Sequence, residues 1–189
     1  MKGRGMVAKR KSSRPAWSDV KASVADIEQG KLIQIIGDLY RLSKENQDFL
    51  HTRFSIGDDP LKPYKQIIKA CMYPNVMSNK PIRIQEAKQA ISKYSKAIGD
   101  RLGEAELMIY FVECGNEFTV DFGDIDEGFY DALLGMYDRA IGKILKLPEE
   151  EQNEFRKRME KIMVSSEGMG WGYYDGLCDL YYDGFSDDE

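Results

Sequence analysis

The sequence predicts an all-α protein, and three observations predict it. Apolar residues recur at three- and four-residue spacing through most of residues 16–185. Gly, Pro, Ser and Asp interrupt that pattern where helices start and stop. Only residues 115–123 read as material for a short strand, and they lack an obvious partner. Short links favour antiparallel neighbours. The expected architecture is therefore about eight or nine helices in stacked antiparallel αα-hairpins, a stack that can curl into a short superhelix. No repeat period stands in the letters.

Residues 1–15 hold six basic and no acidic residues and read as a disordered basic arm. Ser18 is placed to cap a first helix running to about Glu28, carrying Val20, Val24 and Ile27, with Gly30 as its break. Leu32, Ile35, Ile36, Leu39 and Tyr40 then form one apolar stripe of a second helix. Ser43 caps a third, in which Phe49, Leu50 and Phe54 are expected to face inward. In Gly57-Asp58-Asp59-Pro60 a stop is followed by a start, with Asp as cap and Pro at the first helical position. That fourth helix carries Leu61, Tyr64, Ile67, Ile68 and Cys71 and ends at Pro74.

Ile84, Ala87, Ile91, Tyr94 and Ile98 mark a fifth helix, closed near Gly99. A sixth is expected from Glu104 to about Cys114, followed by a connector over residues 115–123. Phe129, Leu133, Met136, Tyr137, Ala140, Ile141 and Ile144 give a strongly periodic helix. Pro148 and three glutamates open the next, the acids complementing the helix dipole. The last is expected from Trp171 to Phe185, with Trp171, Tyr174, Cys178, Tyr181 and Phe185 inward, and Tyr173 and Tyr182 left as contact residues. Residues 16–185 thus read as a single helical domain, and residues 186–189 as an acidic frayed tail.

The totals bound the class. A length of 189 residues suits one domain with a real core. No apolar run approaches the roughly 20 residues a membrane helix needs, and no apolar segment follows the basic start as in a signal peptide. Cys71, Cys114 and Cys178 are far apart and form no CxxC pair, so a cytoplasmic location with small core cysteines is expected. The net charge of −5 conceals a split: residues 1–99 carry 19 Lys/Arg against 9 Asp/Glu, and residues 100–189 carry 8 against 23. Packing of one half on the other is the plainest use of that split.

The catalytic inventory is thin. His51 is the one histidine, and no GxSxG, HExxH, GxxxxGKS or GxGxxG occurs. No catalytic residue, no cofactor and no metal is assigned. Asp121, Asp124, Asp126 and Glu127 are the best oxygen-ligand group, but they depart from the EF-hand pattern, and helix capping explains Asp124 or Asp126 equally. The Gly-rich run 168–172 follows a helix rather than a strand, which suits a helix start beside a packed Trp171. The basic signal is better. Lys62, Lys65 and Lys69 share a helix face, Lys88 follows, and Lys9, Arg10, Lys11 and Arg14 lie in the arm, together a candidate phosphate-contacting surface. A solvated helix face and a soluble tail explain the same residues.

Several strings resemble a group of bacterial proteins of unknown function. They are Trp17-Ser18-Asp19-Val20-Lys21, Asp38-Leu39-Tyr40 with Ser43, Asn46, Phe49-Leu50 and Arg53-Phe54, and Leu61-Lys62-Pro63-Tyr64-Lys65. The resemblance implies a bacterial cytoplasmic source and a helical fold, and it brings no activity. A groove lined by Tyr40, Asn46, Arg53, Tyr64 and Lys65 is the functional reading of these strings. Hydrogen bonds that fix a hairpin, with Asp38 meeting Arg53, are the structural one. The expected function is a non-enzymatic helical scaffold or adaptor that binds another macromolecule, a protein first. The alternatives are a sequence-tolerant nucleic-acid-associated protein and a divalent-metal carboxylate enzyme. No membrane partner is expected, and the oligomeric state is left open.

Overall fold

The computed structural model describes residues 15–78 and 80–186. Among them every regular element is helical: α1 (Trp17–Val24), α2 (Gln29–Leu42), α3 (Lys44–Arg53), α4 (Lys62–Met72), α5 (Ile84–Ala97), α6 (Arg101–Phe122), α7 (Glu127–Ile144), α8 (Glu149–Ser165) and α9 (Tyr173–Phe185). The protein is all-α, as its periodicity predicts. Lys9, Arg10, Lys11 and Arg14 lie outside the described residues. The chain divides into two compact units, one ending at Gln47 and one beginning at Asp48.

The N-terminal unit holds α1, α2 and the start of α3. Ala16, not Ser18, is the N-cap of α1, because the Asp19 carboxylate accepts the Ala16 N–H at 2.7 Å and closes the first turn. The break comes after Val24, so Gly30 sits in the first turn of α2 and does not separate the helices. Ser43 caps α3 as its position predicts: its Oγ accepts the Asn46 N–H at 3.2 Å. No residue of α1 or α2 is buried.

The C-terminal unit is a bundle around α6, which packs against α4, α5, α7 and α8. Three pairs fix α6 and α7 as antiparallel: Glu104 with Lys143, Gly115 with Leu133, and Thr119 with Tyr130. α8 runs parallel to α6, since Glu106 meets Arg158 and Asn116 meets Ser166. α9 runs parallel to α7, with Gly176 against Leu134 and Gly184 against Ile141. The core residues include Ile68, Met72, Leu107, Phe111, Leu133 and Tyr137.

Four expectations are corrected here. Residues 115–123 are no connector: α6 continues through them to Phe122, burying Phe118 and Thr119. Gly115 permits the continuation, because a Cβ there would lie 2.5 Å from Leu133 Cδ2, so only glycine lets α6 and α7 approach this closely. α4 starts at Lys62 rather than Pro60, because Asp59 Oδ1 accepts the Leu61 N–H and holds a turn ahead of the helix. Phe49 and Phe54 are exposed rather than inward. On α9, Phe185 is buried, Tyr174, Cys178 and Tyr181 pack partly buried against the core and Tyr182 is exposed, as expected, but Trp171 is exposed and Tyr173, expected outside, is buried beside Leu177. Tyr173 turns inward because its hydroxyl reaches Asn116 on α6 at 3.2 Å, and Trp171 precedes the helix in a left-handed conformation with φ of 59°.

Candidate functional site

The C-terminal unit has an open cleft of about 530 Å³ lined by residues that include Thr52, Arg53, Asp59, Tyr94, Asp100 and Glu106. Its polar groups face one another. Arg53 Nη1 donates to the Ile98 carbonyl at 3.2 Å, and the Tyr94 hydroxyl donates to Asp100 Oδ2 at 3.2 Å. The Thr52 hydroxyl donates to the Pro60 carbonyl at 2.8 Å. Glu106 is bound by Arg158 and, at 2.9 Å, by Lys65. Burial pushes the Glu106 carboxyl up, and these two cations more than reverse it, leaving it below the ordinary carboxylate range.

Three further networks lie in the same unit. Arg158 grips Glu113 with both arms of its guanidinium, at 2.7 and 2.8 Å. Glu104, 4% exposed, accepts from Lys143 and from Ser95, which likewise hold its carboxyl below the ordinary range against the pull of burial. Asn116 joins Ser165, Ser166 and the Tyr173 hydroxyl. These arrangements brace α6 against its neighbours. The basic half meets the acidic half directly in the Lys65–Glu106 pair.

The groove candidates divide between the units. In the N-terminal unit, Tyr40 lies at the edge of the α2 stripe and Asn46 Nδ2 donates to the Leu39 carbonyl at 2.7 Å. Asp38 pairs there with Arg41. In the C-terminal unit, Tyr64 is buried edge-on to Tyr94, Lys65 is half-buried on Glu106, and Arg53 holds Ile98. Among the basic candidates, Lys62 and Lys69 are exposed, Lys69 lies over the Tyr73 ring, and Lys88 is half-buried.

The acidic candidates take separate partners. Asp121 accepts from the Tyr73 hydroxyl, and Asp124 accepts from the Tyr130 hydroxyl at 2.6 Å and from Trp171 Nε1 at 2.7 Å. Those two donors hold the Asp124 carboxyl below its usual range. Asp126 caps α7, its Oδ1 accepting the Phe129 N–H at 2.9 Å, and Glu127 lies in the first turn. Among the described residues no group of three His, Cys, Asp or Glu is disposed to hold a metal. Cys71 and Cys114 are buried, and burial pushes the Cys114 thiol up to about 12, far from a nucleophile's range. Among the described residues no helix is long and apolar enough to cross a membrane.

The N-terminal unit offers the opposite kind of surface. Ile35, Ile36 and Leu39 of the α2 stripe are 41%, 46% and 49% exposed, and Ile33 and Leu42 beside them are more so. The stripe was legible in the sequence, but its exposure was not. No protein-family model, no curated protein and no solved structure matches the chain.

Proposed function

We propose that this protein is a helical adaptor that binds a protein through the apolar face of α2. The observation that carries this reading is a regular amphipathic helix of 14 residues with no buried residue. Such a face is what helix-in-groove and helix-pairing partners recognise, reading anchors at i, i+3, i+4 and i+7. Leu32, Ile35, Ile36 and Leu39 hold those positions. The bracing of Glu104 by Lys143, and of Glu106 by Arg158, supports a scaffold role for the C-terminal bundle. Immobilised full-length chain and its Ile36→Asp variant test the reading on a nuclease-treated extract of the source cells. A protein retained by the first and lost by the second is the expected result. Identical captures on both, or capture that disappears with nuclease, would overturn it.

A further inference from the structure

We infer that the occupant of the α2 face is α2 of a second copy of this chain, paired antiparallel. The inference rests on the adaptor reading and names its partner. The stripe has two-fold symmetry about the midpoint between Ile35 and Ile36. An axis through that point sets Ile35 level with Ile36 of the second copy and Leu32 level with its Leu39. Residues seven apart share one side of a helix, so Lys31 and Asp38 flank the stripe on one side, and Ile33 and Tyr40 on the other.

An antiparallel two-fold brings each flank against its own copy. Lys31 then faces Asp38 of the second copy, twice, offset by about two residues or roughly 3 Å along the axis. Ile33 faces Tyr40, also twice. Parallel pairing would instead set the charged flank against the apolar one, so the sequence of α2 discriminates between the two directions. Asp38 pairs with Arg41 in the same helix, but that pair is fully at the surface and the carboxylate has acceptor positions for both cations. A membrane surface fits less well. The charged residues of α2 are Lys31, Asp38 and Arg41, far from the Lys/Arg-rich polar face of an interfacial helix. One pair of 14-residue helices is about 21 Å long, a small contact beside the roughly 1,200 Å² of a standard stable interface, so the dimer is expected to be weak and concentration-dependent.

Sedimentation equilibrium of the full chain across the micromolar range reads this directly, with circular dichroism confirming that each variant is folded. A concentration-dependent dimer is expected, weakened on the order of tenfold by Lys31→Glu and by Asp38→Lys, since each makes like charges meet. An equimolar mixture of the two variants restores association, because both contacts in the mixed pair then join opposite charges. A monomer at every concentration, or a dimer indifferent to these variants and to Ile36→Asp, would overturn the inference. So would a monomer that sediments with phosphatidylserine vesicles. A monomer that still captures a different protein through Ile36 would end self-pairing and leave the adaptor reading intact.

Discussion

Helices α2 and α7 carry the same kind of apolar stripe and finish in opposite situations. In α7, Phe129, Leu133, Met136, Tyr137, Ala140 and Ile144 are all buried. In α2 nothing is. The difference lies in the neighbours. α7 is tied to α6 by a four-residue link, and Gly115 and Gly184 let the α6 and α9 backbones come close to Leu133 and Ile141. Among the described residues of its own unit, α2 has only the eight-residue α1 and the start of α3. A stripe states which face of a helix must be covered. What covers it is decided by chain length and by small residues elsewhere.

Truncating one residue in each stripe sharpens that contrast most. Leu133→Ala removes a side chain with no exposure and leaves a cavity against Gly115, at a loss of about 2–5 kcal/mol. Ile36→Ala is expected to change the stability of the monomer by no more than about 0.5 kcal/mol. Urea unfolding at concentrations below association measures both. Similar losses would show that the α2 face is covered as thoroughly as that of α7.

The second contrast is electrostatic. The Asp38–Arg41 pair of α2 is 72–73% exposed, whereas the Glu104 side chain in the Lys143 pair is 6% exposed. Lys143→Met strands a buried carboxylate and costs about 3 kcal/mol at pH 7, while Arg41→Met costs little. The pH dependence gives the sign. In the native chain Glu104 titrates below its ordinary value of 4.5, so its stabilisation is complete above that pH and lost as the pH falls through the depressed value. Without Lys143 the carboxyl keeps only Ser95 and the charge of Arg139 against the pull of burial, so it titrates higher than in the native chain and its penalty is relieved by acid. The gap between native chain and variant therefore narrows from pH 7 to pH 4 in paired urea titrations. A gap of constant size would mean that Lys143 acts through packing alone.

Periodicity made the helices legible, and local chemistry made some of their ends so: Ser43 caps α3, Gly99 follows α5 with φ of 69°, and Pro148 opens α8. Residues 115–123 were misread because Gly, Thr and Val weaken local helix preference, while the contact that favours the helix, Leu133 on Gly115, is made by another helix. Tyr173 was misread for a similar reason, since Asn116 draws it inward from a distant element. Candidate residues were legible as chemistry but not as partners. Lys65 lies half-buried on Glu106, a residue of the acidic half that no spacing rule would have picked.

The smallest expected effect concerns Asp121, Asp124, Asp126 and Glu127. Here the comparison is between carboxylates that brace the bundle, as Glu104 does, and carboxylates gathered for a cation. A divalent ion would have to take Asp124 from the Tyr130 and Trp171 donors and Asp126 from the Phe129 N–H, undoing the start of α7. Thermal unfolding in millimolar Mg²⁺, Mn²⁺ or Ca²⁺ is therefore expected to match unfolding in chelator to within about 1 °C. Binding at one hundred times its dissociation constant would add about 2.7 kcal/mol and raise the midpoint by roughly 5 °C or more. A shift of that size, abolished by Asp124→Asn, would mean that these acids converge on an ion and that the loop before α7, rather than α2, is where the chemistry of this protein begins.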